Sequence, residues 1–216
     1  MIYVSWAVLY EGTTDRHYFD VLIPKLIEAI LLEHGRVKFA VPNAPVLCFA
    51  RGSIDEIAAQ ICENKDAFFL VFVHADTGGR AQEAAIGSRG GDVATLAGEL
   101  CDFEPARCVL VAPRHEMEGW ALADPKAVCA TLGFNGNPDE IGLPENAAEA
   151  EALADPKAVL SNAIARVRGR RKTLPAELLF PVIAEEQSLA VLAQSRSFRE
   201  FRNAVYAALK SLGSVS

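Results

Sequence analysis

The first half of the chain alternates two patterns of hydrophobic residues. The runs IYVSWAVLY at 2–10 and AFFLVFVHA at 67–75 are apolar at nearly every position, which is typical of strands buried on both faces. In the segment 15–35 the apolar residues instead recur every three or four positions, which predicts an amphipathic helix. Because the two patterns keep alternating to about residue 113, we expect an α/β fold with a mainly parallel sheet flanked by helices.

The second half of the chain has no strong strand pattern. We therefore predict two parts, an α/β core at 1–114 and a mostly helical extension at 115–216 that packs on the core. Ser197 and Glu200 have the spacing of a capping box, which is predicted to open the last helix. In the first helix, Pro24 interrupts the apolar pattern and predicts a kink or a break.

The composition is that of a folded chain. Of the 216 residues, 51% are hydrophobic and 23% are charged, which favours a packed core over disorder. No apolar run reaches the roughly 18 residues of a membrane span. The first residues lack the basic segment and cleavage site of a signal peptide. We therefore expect an intracellular, cytoplasmic protein with no membrane association.

The cysteines show no metal or redox spacing. No two of them stand at C-x-x-C distance, so no zinc motif is visible. Four of the five lie in apolar surroundings, and we expect reduced thiols in the core. The five are Cys48, Cys62, Cys101, Cys108 and Cys129.

Acidic residues follow three of the predicted strands. Glu11 comes after the first strand, Asp76 after a later one, and Glu116 and Glu118 after the last. The carboxyl ends of parallel strands meet at one edge of a sheet, where ligands bind in open α/β folds. Asp15 follows Glu11 by one helical turn, so it is expected near the same edge.

Carboxylates gathered this closely repel one another and need compensation. A hard divalent cation, Mg²⁺ or Mn²⁺, is the simplest compensation because no cluster of soft ligands is present. The net charge of -7 fits such a cluster. The alternative is structural, since an acid after a strand often only caps the next helix. Glu116 and Glu118 share a face only in extended chain, so both reach one site only if the helix starts at or after Met117.

Five segments carry a resemblance to a known family. LYEGTTDRHYF at 9–19 resembles the Glu-Gly-x-x-[Glu/Asp] loop that opens a Toprim domain, and HADTGG at 74–79 lies where Toprim domains carry Asp-x-Asp. HEMEGWALADP at 115–125 is similar to a segment of an uncharacterised bacterial family related to the Toprim nucleases of the overcoming-lysogenisation-defect type. DPKAVL at 155–160 and SRSFREFRNAV at 195–205 also resemble that family, so the resemblance covers most of the chain. It implies a Toprim-like (Rossmannoid) sheet.

The resemblance also implies a ligand set for two metals. Glu11, Asp15 and Asp76 would hold one metal, and Glu116 and Glu118 would hold a second, which Glu11 could share. Two such metals activate a water and stabilise the leaving oxygen in phosphodiester cleavage. The implied protein is a metal-dependent nuclease in which Glu11 and Glu116 are catalytic.

Two further positions bear on the implied activity. Lys157 matches a lysine of the family pattern and could stabilise charge in the transition state; otherwise it is a surface lysine. His74 stands where the family has the first Asp of Asp-x-Asp. Imidazole binds Mn²⁺ but suits Mg²⁺ poorly. His74 is therefore either a metal ligand or a hydrogen-bonded structural residue.

Three functions follow from these patterns. The first is a metal-dependent nuclease acting on DNA or RNA, and the second is a non-catalytic partner or nucleic-acid-binding module. The third is a metal-dependent phosphatase on the same carboxylates. No phosphate-binding loop motif is present, so an ATPase that works with the protein would be a separate chain. The acidic charge argues against a surface that binds nucleic acid everywhere, but a local basic run either contacts phosphates or forms a solvated helix end. The run consists of Arg166, Arg168, Arg170, Arg171 and Lys172.

Overall fold

A parallel four-stranded sheet forms the centre of the molecule. The computed structural model describes residues 1–35, 38–75, 91–169 and 175–215. All neighbouring strands of the sheet pair in parallel, which confirms the predicted α/β class with a mainly parallel sheet. In spatial order, the strands are β4 (Leu47–Cys48), β2 (Trp6–Leu9), β5 (Leu70–His74) and β6 (Cys108–Val111). A separate parallel pair consists of β1 (Ile2–Tyr3) and β3 (Phe39–Ala40).

Helices connect these strands and form most of the chain after residue 112. Among the described residues, three α-helices belong to the α/β half: α1 (Asp15–His34), α2 (Ile54–Asn64) and α3 (Gly91–Cys101). The remaining helices are α4 (Met117–Ala121), α5 (Pro125–Leu132), α6 (Ala147–Ala152), α7 (Pro156–Arg168), α8 (Phe180–Glu186), α9 (Leu189–Leu192) and α10 (Arg196–Ser211).

Both faces of the sheet are covered, which explains the unbroken apolar runs of its strands. Trp6, Val8 and Phe72 belong to a core shared with α1 and the C-terminal helices. Ala7 and Val73, on the opposite face, belong to a second core with α2 and α3. Since successive side chains of a strand point to opposite faces, a sheet between two helical layers leaves few positions for polar side chains.

α1 runs through Pro24 without a break. Leu22 and Ile23 before the proline, and Leu26 and Ile27 after it, are all buried in the shared core. Because this core holds both halves, α1 is one helix and not two pieces at Pro24, and the alternative of a kink there stays a prediction.

The last helix packs on the sheet, but its start was predicted wrongly. Phe198 and Phe201 on α10 are buried against Trp120, with ring centroids 5.2 Å and 5.4 Å away. The cap of the helix is Ser195, whose hydroxyl accepts from the Phe198 N–H. Ser197 lies inside the helix, and its hydroxyl accepts the Trp120 indole N–H at 2.8 Å. The capping box predicted at Ser197 is therefore wrong, and the division of the chain at residue 114 stays a prediction because one core includes residues from both parts.

Two of the cysteines form a disulfide, so the prediction of reduced thiols is wrong for this pair. Cys62 on α2 is bonded to Cys101 on α3. The two helices pack on the same face of the sheet, which brings the two Cα atoms to 5.8 Å, a distance that a disulfide spans. Cys129 is a buried thiol and Cys48 is exposed.

Candidate active site at the carboxyl edge of the sheet

The strand order defines a point where a ligand is expected. The chain passes from β2 to β4 on one side and then returns to β5 on the other side of β2. In open parallel sheets, such a reversal opens a crevice beyond the carboxyl ends of the two central strands, and ligands bind there. In this chain the crevice lies where β2 and β5 end, at Leu9 and His74.

A cleft is present at this point. Its volume is about 180 Å³, which is smaller than the roughly 300–1,000 Å³ of pockets that enclose a drug-sized ligand. It therefore suits a small group, such as one phosphate of a larger molecule. Its lining includes Leu9, Tyr10, Glu11, Arg51, Ile57 and His74.

A buried pair of His74 and Asp15 lies beneath the cleft. His74 Nδ1 is 3.1 Å from Asp15 Oδ2, and the two side chains are 0% and 11% exposed. Asp15 Oδ2 also accepts the Gly12 N–H at 2.5 Å. The Glu11 backbone nitrogen lies 3.4 Å from the same His74 Nδ1, which cannot accept the Glu11 N–H while it donates its own proton to Asp15. The pair thus ties the loop that carries Glu11 to the end of β5.

The surroundings of Asp15 keep its carboxyl group ionised. Burial alone would raise its pKa. The hydrogen bond and charge of His74 and the Gly12 N–H outweigh burial, so the pKa of Asp15 lies below its ordinary value. The positive charge of Arg51 lowers this pKa further. Asp15 is therefore a carboxylate at neutral pH, held by donors of its own chain.

Gly12 is required by this arrangement. A Cβ atom at position 12 would lie 2.9 Å from Asp15 Oδ2, closer than ordinary van der Waals contact. The glycine of the Glu-Gly motif therefore lets the loop backbone approach the carboxylate of Asp15. This is a physical reason for the Glu-Gly-x-x-Asp spacing that requires no metal.

The pairing changes how two predicted metal ligands are interpreted. Asp15 and His74 do lie together, as the sequence predicted. They contact each other, however, and a metal at Asp15 Oδ2 would compete with two hydrogen-bond donors. The geometry favours the alternative in which His74 is a hydrogen-bonded structural residue, while the metal roles of Asp15 and His74 stay predictions.

Glu116 and Glu118 satisfy the geometric condition set by the sequence. α4 begins at Met117, and Glu116 before it is extended, with φ -143° and ψ 162°. Its side chain makes no capping hydrogen bond to the helix, so its carboxylate is not committed to the helix end. Glu118 is 8% exposed. His115 sets this start with a φ of 66°, a left-handed conformation that histidine adopts more readily than most residues.

A buried glutamine holds α4 in place. Gln187 is 2% exposed and donates to the carbonyl oxygens of Trp120 at 2.8 Å and Ala121 at 3.1 Å. Its own carbonyl oxygen accepts the Tyr18 hydroxyl at 2.7 Å. Because Tyr18 is on α1, the network fixes the helix of Glu118 relative to the helix of Asp15. No sequence motif marks Gln187, which only the tertiary structure brings to this position.

No contact that the structure describes brings the other predicted site residues to the cleft. Lys157 is exposed in the first turn of α7, and Arg166 is exposed near the end of that helix. Asp76, Arg170, Arg171 and Lys172 lie outside the described residues. Within the described ranges, no group of three or more His, Cys, Asp or Glu side chains is arranged to hold a metal. The predicted metal set, which includes Asp76, is therefore untested.

Two cleft residues were missed by the sequence reasoning. The Tyr10 hydroxyl donates to Asp20, which also pairs with Arg16 at 3.1 Å. Burial and this bond to Asp20 raise the pKa of Tyr10, so its phenol stays protonated. Arg51 is exposed in the loop between β4 and α2. The only available signal for Arg51 was a basic residue between a strand and the Gly-Ser start of a helix.

Comparisons with protein-family models, curated proteins and solved structures found no match to this chain. The Toprim resemblance of the sequence therefore remains a resemblance. In the part of the chain that the structure describes, no helix is both long and apolar enough to cross a membrane.

Proposed function

We propose that this chain is a divalent-metal-dependent phosphodiester hydrolase with a Toprim-like sheet, acting on nucleic acid. One observation supports the proposal above the others: the cleft opens at the strand-order reversal, and Glu11 is one of its lining residues. This is the position at which parallel α/β sheets bind their ligands. Glu116 and Glu118 follow β6, the strand beside β5, and so belong to the same edge.

The donor set suits a hard cation. Glu11, Glu116 and Glu118 offer carboxylate oxygens, the ligands that Mg²⁺ and Mn²⁺ prefer, and Asp76 is proposed as the fourth from its place in the sequence. A bound cation would lower the pKa of a water and polarise a phosphoryl oxygen. In this proposal Asp15 and His74 lie beneath the ligands and bind no metal themselves, and their pair holds the Gly12 N–H of the loop that carries Glu11.

The test is a metal titration combined with a cleavage assay. Mn²⁺ should bind the wild-type protein saturably, and Glu11→Gln should weaken that binding at least tenfold. With Mn²⁺, the protein should nick plasmid or degrade single-stranded DNA, and both Glu11→Gln and Glu116→Gln should abolish this activity. Glu63→Gln is the matched control, because Glu63 is an exposed carboxylate on α2. Cleavage that survives Glu11→Gln would contradict the proposal.

A second candidate is a non-catalytic binding module on the same fold. It is favoured by the Asp15–His74 pair, in which two predicted ligands satisfy each other. The same two assays separate the candidates. A folded protein that binds no Mn²⁺ or Mg²⁺ and cleaves neither DNA nor RNA, alone or with a partner ATPase, would favour the binding module.

A further inference from the structure

Arg51 is a cation without a partner in the described part of the chain. Arg51 lines the cleft together with Glu11 and His74, and its guanidinium makes no hydrogen bond or ion pair with any described residue. The neighbouring Arg16 is different, because it is paired with Asp20 at 3.1 Å. The guanidinium of Arg51 is thus available to a ligand.

The backbone on both sides of Arg51 is fixed by α2. The Gln60 amide accepts the Ala50 N–H at 2.9 Å and donates to the Ala50 carbonyl at 3.1 Å. On the other side, Glu56 accepts the Ser53 N–H at 2.8 Å. A loop whose backbone is held at both ends loses little backbone entropy when its side chain binds a ligand.

The hydrogen bonds between Ser53 and Glu56 also occupy part of the N-terminus of α2, a place where an anion would otherwise compete with binding at Arg51. The N-terminus of α2 is closed by the capping box of Ser53 and Glu56, so these groups of the helix are already satisfied. Of the described residues that line the cleft, Arg51 alone carries a guanidinium or ammonium group, so it is the cationic hydrogen-bond donor available there to an anion. Its charge already acts inside the site, since it lowers the pKa of the buried Asp15.

We propose that Arg51 is the substrate-binding residue of the cleft and holds two oxygens of the substrate phosphate through its guanidinium. The planar fork of arginine matches the oxygens of a phosphate in a way that the point charge of lysine does not. The small volume of the cleft suits one phosphate, with the rest of the substrate outside it. The identity of the substrate as a phosphodiester rests on the proposed function, whereas the phosphate site itself does not.

The first experiment uses inorganic phosphate and metal-free protein in a calorimetric titration. Phosphate should bind, Arg51→Gln should weaken binding at least tenfold, and Arg51→Lys should recover only part of the loss. Glu11→Gln should strengthen binding, because it removes a negative charge from the same cleft. Arg199→Gln, at an exposed arginine on α10, is the matched control and should leave the affinity unchanged. Absence of phosphate binding, or equal binding by Arg51→Gln, would overturn the inference.

The second experiment separates this inference from the proposed function. Hydrolysis of bis(4-nitrophenyl) phosphate is measured with Mn²⁺ for the wild type and for Arg51→Gln. A raised KM in Arg51→Gln supports the inference, and an unchanged KM overturns it while the hydrolase proposal stands. Phosphate binding that depends on Arg51 in a protein that hydrolyses no phosphodiester supports the site and contradicts the proposed function.

Discussion

Removal of the His74 imidazole tests whether the buried pair supports the fold or the metal. His74→Ala leaves the Asp15 carboxylate 11% exposed with the Gly12 N–H as its remaining described donor. It also removes a ring that lies 4.7 Å from the ring of Phe19. We expect the free energy of unfolding to fall by about 3–5 kcal/mol, since breaking a buried pair by removing one partner leaves an uncompensated charge.

Two related variants refine this magnitude. Asp15→Asn keeps an acceptor for Gly12 and leaves no buried charge, so a smaller loss of about 1.5–3 kcal/mol is expected. His74→Asn should lose less stability than His74→Ala, because the amide N–H₂ of Asn can still donate to Asp15. His17→Ala is the matched control: His17 is an exposed histidine on α1, and its loss should change stability by less than about 0.5 kcal/mol.

The assay is urea unfolding at pH 7 together with Mn²⁺ titration of each folded variant. We expect a large loss of stability in His74→Ala and a change in Mn²⁺ affinity of less than about threefold. A tenfold loss of affinity corresponds to about 1.4 kcal/mol. If that loss appeared with stability changed by less than about 1 kcal/mol, His74 would be a metal ligand and the structural role of the pair would be refuted.

Three further predictions concern other parts of the molecule. Replacing Cys62 and Cys101 by Ser should lower stability by up to about 4 kcal/mol, because the crosslink spans 39 residues; alkylation of the unreduced, unfolded protein should modify three of the five cysteines. Burial would raise the pKa of Glu151, but its bonds to Ser197 and Arg196 lower it. Glu151→Gln should therefore cost about 1–2 kcal/mol at pH 7. That difference should shrink once the pH falls below the ordinary value near 4.5, and it should be lost as the pH passes through the lowered pKa of Glu151 in the folded protein. Gly12→Ala should cost about 1–3 kcal/mol in urea unfolding, because its Cβ would crowd Asp15; an unchanged midpoint would show that the loop gives way.

The sheet could be predicted from the sequence because its strands are buried on both faces. A doubly buried strand is apolar at nearly every position, so β5 could be predicted from the sequence without knowledge of its neighbouring strands. The start of α4 was predicted only conditionally: Glu116 and Glu118 reach one site only if the helix starts at or after Met117. The structure meets that condition through the left-handed backbone of His115, which sequence periodicity does not reveal.

Other features depended on contacts between distant segments. The disulfide required α2 and α3 to lie side by side, and cysteine spacing carries no information on helix packing. The cap of α10 was predicted two residues too late, because a serine stands at both position 195 and position 197 and either one could cap the helix. The Glu151 carboxylate from α6 accepts the Arg196 and Ser197 N–H groups, which selects the earlier start.

The charges of the site differ in exposure and in compensation. Asp15 is buried, and His74 together with Gly12 compensates it within the chain. Glu11 is half-buried at the cleft, and Arg51 is exposed on the same lining. Since Asp15 is already compensated, a cation at this edge needs to neutralise only the remaining carboxylates. The fold therefore requires no metal to hold the Glu11 loop, and a cation bound next to Glu11 would lie close to a phosphate held by Arg51.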